Sequence, residues 1–251
     1  MLNLRQSADD GLAPSLTVHI ARNADEVREA QRLRYRVFAE EMGARLEGPE
    51  PGVDEDRFDE HCVHLLVRDD ATGEVVGTYR LITPDVAKRL GGFYSEAEFD
   101  ISRLDNLRDR LLEVGRSCVH PDYRNGGTIA MLWGGLTRFA LTNGYEYAMG
   151  CASISMADGG HVAASVYRTL REKHLSPLEY RVFPRCSLPM EHLDWNLATE
   201  IPPLIKGYLR VGAQICGEPA WDPDFNTADV FVLISLARMS ERYMRRFLAN
   251  A

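Results

Sequence analysis

Apolar residues recur along this chain with two spacings, every second position and every third or fourth, and the changes between them mark its elements. Leu16 to Ala21 alternates as a first strand. Asn23 and Glu26 then stand three apart, as in a capping box, and Val27, Ala30, Leu33, Val37 and Phe38 follow at helical spacing until Gly43. Cys62–Arg68 and Glu74–Ile82 read as strands, joined by the hairpin signal Asp70-Ala71-Thr72-Gly73. Leu111–Val119 is another strand, and Tyr145–Ile154, Tyr180–Met190 and Asp229–Leu236 follow in the same class. Helical spacing covers Thr128–Thr142, with Ile129, Leu132, Trp133, Leu136, Phe139 and Ala140 on a core face and Gly144 as the stop. It recurs over Val162–Lys173, in a short helix opened by Ile201-Pro202-Pro203, and in a basic last helix, Glu241–Leu248. Residues 84–110 show no clean period and are irregular or helical. Residues 1–14 read as a loose leader and Glu47–Glu60 as an acidic loop. Hairpins alternating with helices imply an α/β fold, a mixed sheet with helices on its faces. With no internal repeat, the expectation is one domain over 1–251, residues 191–251 being a C-terminal elaboration packed on the core.

Composition narrows the function. The 251 residues are 45% hydrophobic and 26% charged, which suits a globular protein with a sizeable core. No apolar run reaches the roughly 18–20 residues of a membrane span. The first residues lack the apolar stretch of a secretory signal, so a cytoplasmic location is expected. A net charge of −8 argues against a general nucleic-acid binder. The five cysteines are widely spaced, odd in number and free of CxxC pairs, as buried free thiols would be. The histidines form no HExxH, and no metal site is expected. GxSxG and Walker motifs are absent. The HxxxxD pair of glycerolipid acyltransferases is expected to be absent, since no Asp stands five residues after His120 or His161.

The stretch richest in chemistry is Leu112–Ile129, LEVGRSCVHPDYRNGGTI. A strand leads through a glycine turn into a helix, so backbone N–H groups and the positive end of the helix dipole face one spot. That spot suits a phosphate. The candidate donor-binding residues are Val119, Arg124, Asn125, Gly126, Gly127, Thr128 and Ile129.

The order of elements around EVGR and RNGGTI resembles the Gcn5-related N-acetyltransferase (GNAT) fold, which implies a mixed, mostly antiparallel sheet flanked by helices. Arg124 and Gly127 fit that family's Arg/Gln-x-x-Gly-x-Gly/Ala turn, whereas Ile129 departs from it. A narrower set occurs in one order: Leu33-Arg34-Tyr35-Arg36-Val37-Phe38, Asp56-x-x-Asp59, Val76-Gly77-Thr78-Tyr79-Arg80-Leu81 and Glu113-x-x-Arg116. It resembles acyl-homoserine-lactone synthases and N-acyl amino acid synthases. The chain from about Val18 to Phe247, including PPLIKGYLRVGAQICGEPAWDPDFNTADVFVL, resembles bacterial ornithine N-acyltransferases.

That resemblance implies transfer of a 3-hydroxyacyl group from acyl carrier protein to the α-amine of ornithine, giving lyso-ornithine lipid. The co-substrate would be the acyl-phosphopantetheine of the carrier, with acyl-CoA as the alternative donor and no tightly bound cofactor. The carrier's single phosphodiester needs a less complete cradle than a pyrophosphate. Another amine acceptor, or a non-catalytic acyl-carrier or lipid-binding module, remain open readings.

An ammonium has no lone pair, so amide formation needs a base or a water relay. Glu113 and Arg116 are the candidate catalytic residues, with Glu113 as the base, against a structural ion pair between the two. A backbone N–H near Val119 would serve the oxyanion. Arg116, Arg34 and Arg80 are candidates for the acceptor's carboxylate, and Asp56 and Asp59 for its side-chain ammonium. Asp222 and Asp224 follow behind, with a turn set around Pro223 as the alternative reading. Trp133, Leu136 and Phe139 read as plain core, whereas Phe93, Tyr94 and Phe99 are candidate walls of an acyl groove. Direct attack by an amine makes an acyl-Cys118 unnecessary. Arg103, Arg108, Arg110 and Arg124 are candidates to meet an acidic carrier. The basic and apolar last helix suits contact with the inner membrane surface, although a packed helix with a solvated face explains the same pattern.

Overall fold

The computed structural model describes residues 15–46, 48–239, 243 and 245. The leader 1–14 and most of the expected helix 241–248 lie outside the described residues. β1 (Leu16–Ile20) leads to α1 (Ala24–Tyr35), whose cap Asn23 accepts from the Glu26 amide, and α1 runs on as a π-helical stretch, Arg36–Glu41. The hairpin β2 (Val63–Asp69) and β3 (Val75–Ile82) follows. The aperiodic segment after it contains α2 (Pro84–Leu90), capped by Thr83 and ended by Gly91, then short 3-10 turns and β4 (Phe99–Asp100). β5 (Leu111–Val119), α3 (Gly127–Thr142), β6 (Tyr147–Ser155) and α4 (His161–His174) occur in the expected order.

Tyr180–Met190 is not a strand. β7 (Phe183–Pro184) pairs there with β4 and Ser187 makes an isolated bridge to Ala220, while Pro184 and Pro189 carry no N–H for a longer ladder. α5 (Pro203–Arg210), β8 (Gln214–Ile215), β9 (Ala220–Asp222) and β10 (Thr227–Ser235) follow, β9 ending at the turn around Pro223.

The main sheet runs β1-β2-β3-β5-β6-β10-β8, with β9 also on β10. Every pair is antiparallel except β5 with β6. On one face Leu132, Leu136 and Ala140 of α3 and Val166 and Leu170 of α4 pack against Leu65, Val67, Leu112 and Val230. On the other, Phe93, Phe99, Leu104, Leu111 and Phe231 form a second cluster. Among the described residues no helix is long and apolar enough to cross a membrane.

The parallel pair is short. β5 and β6 are bonded only where Leu111–Glu113 face Tyr147–Met149, and then they diverge. At the fork, a Cβ on Gly150 would stand 2.2 Å from the Val114 carbonyl oxygen. Only glycine lets the two backbones come that close before they part. On the opposite edge of β5 the register with β3 slips between Thr78 and Arg80, and Arg116 takes a left-handed φ of 51°.

A buried ion network fastens the acidic loop to this sheet. Arg34 of α1 is wholly enclosed. Its Nε donates to Asp54 Oδ2 at 2.8 Å, while Nη1 and Nη2 donate to the two oxygens of Asp59 at 2.8 and 2.6 Å. Arg80 of β3 donates to Asp56 at 2.6 Å and Asp59 at 3.0 Å. Arg116 approaches Asp54 at 3.7 Å and Asp56 at 3.5 Å. Three guanidinium groups thus balance three carboxylates. Burial pushes the Asp59 carboxyl up, but the bonds from Arg34 and the charges of Arg34 and Arg80 outweigh it and hold it well below the usual range.

Two consequences are measurable. Gly150→Ala is expected to destabilise the fold by about 1–3 kcal/mol in urea unfolding, since the oxygen it meets is backbone and cannot rotate away; unchanged stability would refute the close approach. Arg34→Leu leaves buried carboxylates short of a partner and is expected to cost about 3–5 kcal/mol at pH 7. Because the folded pKa of Asp59 lies below its unfolded value of about 3.9, its contribution is complete above that pH and is lost as pH falls through the folded value. Stability should therefore fall with acid below about pH 4 in the native protein, and more shallowly in Arg34→Leu. A loss under about 1 kcal/mol with an unaltered acid slope would show the network to be dispensable.

Candidate active site

The fork between β5 and β6 opens a cavity of about 570 Å³. Its walls are largely apolar: Val37 and Phe38 from α1 and its extension, Val114–Val119 from β5, Ile129 and Trp133 from α3, and Leu204 and Tyr208 from α5. Trp133 stacks on Tyr208 with ring centroids 5.5 Å apart, and the Tyr208 hydroxyl lies 2.5 Å from that of Tyr79. Trp133 is therefore wall and not plain core, while Leu136 and Phe139 do not line the space. Of the expected groove aromatics Tyr94 lines it, under the guanidinium groups of Arg80 and Arg116 at 5.3 and 5.2 Å. Phe93 and Phe99 are buried in the core beyond, Phe99 edge-on to Phe231.

The turn expected to hold the donor forms the mouth. Gly126 caps α3 with a left-handed φ of 89°, a conformation that suits glycine, and the Gly127 amide donates to Asn125 Oδ1 at 2.9 Å. That first helical amide is thus already capped within the turn. Thr128 is buried, its hydroxyl donating to the Tyr123 carbonyl at 3.1 Å. Val119, Arg124, Gly126 and Ile129 line the cavity. Arg124 forms a bidentate pair with Glu41, at 2.6 and 2.7 Å, bridging the mouth from α3 to the end of the π-helical stretch. Of the other basic candidates, Arg103 donates to the Leu178 carbonyl, Arg108 pairs with Glu96 and Arg110 with Glu146, and none lines the cavity.

Glu113 is 2% exposed and lines the cavity at the fork. Its partner is not Arg116: its oxygens accept the amides of Tyr94 and Ser95, each at 2.7 Å. Burial pushes its carboxyl above the ordinary range despite those bonds. Arg116 and Arg80 line the cavity, whereas Arg34, Asp56 and Asp59 sit behind them in the ion network. Burial pushes the Cys118 thiol up to about 12, so it stays protonated and a poor nucleophile. One HxxxxD spacing does occur, His64 and Asp69 on β2. Their odd separation turns them to opposite faces, where His64 meets the Asp59 carbonyl and Asp69 accepts from Tyr123.

Inside the fork lie residues that the sequence reading passed over. Glu98, Cys151 of β6 and Asp229 of β10 have ligand atoms within 4.8 Å of one another and, with Ser153 and Thr227, line the cavity. Asp222 lines the same space while its Oδ1 accepts the Asp224 and Phe225 amides, so it does set the turn around Pro223. A single acid within the apolar run of β10 was the available signal for Asp229.

Comparison with known proteins agrees with this geometry. The family described as "Acetyltransferase (GNAT) domain" matches residues 33–134. The chain is 38% identical to the L-ornithine N(alpha)-acyltransferase of Brucella abortus, over 96% of this chain and 92% of the relative. It is 40% identical to that of Rhodobacter capsulatus, over 91% and 93%. Among solved structures it resembles a CoA-dependent acyl-homoserine lactone synthase, BjaI, with a TM-score of 0.55, 16% identity and coverage of 93% of this chain and 88% of that one. It also resembles FeeM, an N-acyl amino acid synthase from uncultured soil microbes, with a TM-score of 0.53, 12% identity and coverage of 89% and 93%. These two likenesses establish a shared fold, the mixed, mostly antiparallel sheet that the sequence implied. With a GNAT-type fork, a turn-and-helix mouth and relatives matched almost end to end, the chain belongs to the L-ornithine N(alpha)-acyltransferase family.

Proposed function

We propose that the protein transfers a 3-hydroxyacyl group from the phosphopantetheine thioester of acyl carrier protein to the α-amine of ornithine, yielding lyso-ornithine lipid. The observation that carries this reading is the forked cavity, with a helix N-terminus at its mouth and carboxyl groups inside, in a chain whose relatives bear that activity in their names. An apolar channel of this kind suits an acyl chain. The donor's phosphate would meet Arg124 and the turn Asn125–Ile129.

Beyond Glu113, the edge of β5 that faces away from β3 has no partner strand. Its N–H groups, towards Val119, are therefore suited to the oxyanion that forms when the amine adds to the thioester carbonyl. Attack requires the neutral amine; the nitrogen loses a proton as the C–N bond forms, and the thiol leaves with one. Glu113 lies where it would orient the amine or its relay water, while both its oxygens keep the Tyr94–Ser95 turn in place. Arg116, whose Nε lacks a hydrogen-bond partner, suits the acceptor's carboxylate, with Arg80 beside it. Arg34, Asp56 and Asp59 support these two arginines from behind. The lipid product gives the protein reason to work at the inner face of the cytoplasmic membrane. The segment suited to that contact, Glu241–Leu248, lies mostly outside the described residues.

Purified protein supplied with 3-hydroxyacyl carrier protein and ornithine should yield an α-N-acylated ornithine by mass spectrometry. Transfer to another amine alone would replace the acceptor, and equal or better kcat/KM with 3-hydroxyacyl-CoA would replace the donor. No acylated amine from any acceptor would leave a binding module. Arg124→Glu should raise KM for the carrier by about tenfold, equivalent to about 1.4 kcal/mol. Glu41→Gln, which frees Arg124, should lower it. If neither variant moves that KM in steady-state assays, the donor phosphate does not sit at this mouth.

A further inference from the structure

The carboxyl groups inside the fork lack the cations that the loop network has. Asp229 is 4% exposed in the middle of the sheet, and its Oδ1 has no hydrogen-bond partner. Glu98 Oε2, against it, and Thr227 Oγ1, two residues away on β10, are buried too, and these groups face one another with no other partner for those oxygens. Asp222 adds a third acid to the same wall. Among the described residues no arginine or lysine forms an ion pair with Glu98, Asp222 or Asp229; every arginine of the neighbouring network is spent on Asp54, Asp56 or Asp59. Burial and then the charge of Asp229 push Glu98 up to about 9, so at neutral pH Glu98 carries a proton that it shares with Asp229; burial and the charge of Asp222 raise Asp229, against hydrogen bonds to Ser153, Glu98 and Thr227 that lower it.

Buried, unpaired carboxyl oxygens on the wall of a reaction cavity point to a cationic ligand. An alkylammonium has three N–H donors, and by displacing the shared proton it would meet oxygens of Glu98, Asp229 and Thr227 that no cation now occupies. A metal ion would take the Cys151 sulfur as a ligand together with the two carboxyls, and the test below separates it from an ammonium.

We propose that Glu98 and Asp229, with Thr227 Oγ1 beside them and Asp222 adding negative potential, form the subsite for the side-chain ammonium of a diamino-acid acceptor. The proposal rests on the reading of the protein as an ornithine acyltransferase and names the residues that choose the acceptor. It also accounts for which nitrogen reacts. An ammonium held between carboxylates keeps its proton and has no lone pair, whereas the α-amine, outside this subsite, is free to lose its own. Binding of the cation displaces the shared proton to solvent, one proton leaving for each ammonium bound.

The test compares native protein, Asp229→Asn and Glu98→Gln with two acceptors, ornithine and norvaline, which has the same carbon chain without the second amine. In the native protein kcat/KM should favour ornithine by about 100-fold, as expected where a buried polar group is matched or left unmatched. Asp229→Asn should remove that preference, mainly through KM for ornithine, and leave norvaline within about threefold. Its product should include ornithine acylated on the side-chain nitrogen. Calorimetry in buffers of different ionisation enthalpy should show close to one proton released per ornithine bound by the native protein, and none by Asp229→Asn.

Equal use of norvaline by the native protein would overturn the subsite, as would variants that lose activity alike with both acceptors. Inhibition by EDTA that Zn²⁺ reverses would assign the cluster to a metal and overturn it too. The two readings fail separately. Acylation of ornithine without this discrimination sinks the subsite alone. Ornithine binding with Asp229-dependent proton release but no acyl transfer sinks the acyltransferase reading alone.

Discussion

The structure depends on six charges buried together. Arg34, Arg80 and Arg116 reach from a helix and two strands to Asp54, Asp56 and Asp59 on one loop, and little water reaches any of them except at Asp56. In so dry a setting, a charge is tolerated only if it is paired, so the loop has one position in which all three aspartates are satisfied. That position fixes Arg80 and Arg116 over the Tyr94 ring, and the Tyr94–Ser95 turn is tied to the fork through Glu113. The floor of the cavity and its cationic wall are thus held by one arrangement. This ranks the network as a device for geometry more than for net stability, since buried ion pairs often gain little over apolar substitutes.

The fork is the second constraint, and it comes from backbone and not from side chains. Gly150 lets β6 touch the Val114 carbonyl, and directly afterwards the strands separate. One divergence creates the apolar space, exposes an edge of β5 and brings Glu98 and Asp229 to line it. The mouth is shaped independently by the turn at Gly126, where Glu41 occupies Arg124 as an anion from the donor would. Any anion that reaches Arg124 therefore competes with a carboxylate already in place.

Much of this was legible in the sequence, because local rules governed it. β5 was bounded to the residue by its apolar run, and α3 began at the glycine turn. The hairpin of β2 and β3 followed from its turn residues. The remainder needed three dimensions. Arg34, Asp56 and Asp59 were singled out as acceptor contacts and lie instead in the ion network behind the cavity, because spacing cannot say whether a charge meets a ligand or another buried charge. Asp54 was missed because it lies in the same acidic run as its neighbours and nothing local distinguishes it. Tyr180–Met190 carried apolar residues at strand spacing, and its prolines outweighed them. Trp133 shared a helical period with core residues, yet the fork lies against its turn of α3, so an apolar wall and an apolar core look alike in one dimension.

The two carboxyl groups of greatest interest show how environment separates residues of one chemical type. Asp59 and Asp229 are both buried acids in the same sheet-and-loop assembly. Asp59 meets two guanidinium groups and is held ionised far into acid, so it serves as a fixed anion. Asp229 meets another carboxyl and a thiol with no guanidinium beside them, and burial drives it the opposite way. A fold that needed only to be stable would have neutralised both, or replaced the second with an apolar residue. Keeping an acid uncompensated beside the reaction space is reasonable if the missing cation arrives with a substrate. Compensated charge then builds the site, and uncompensated charge recognises what enters it.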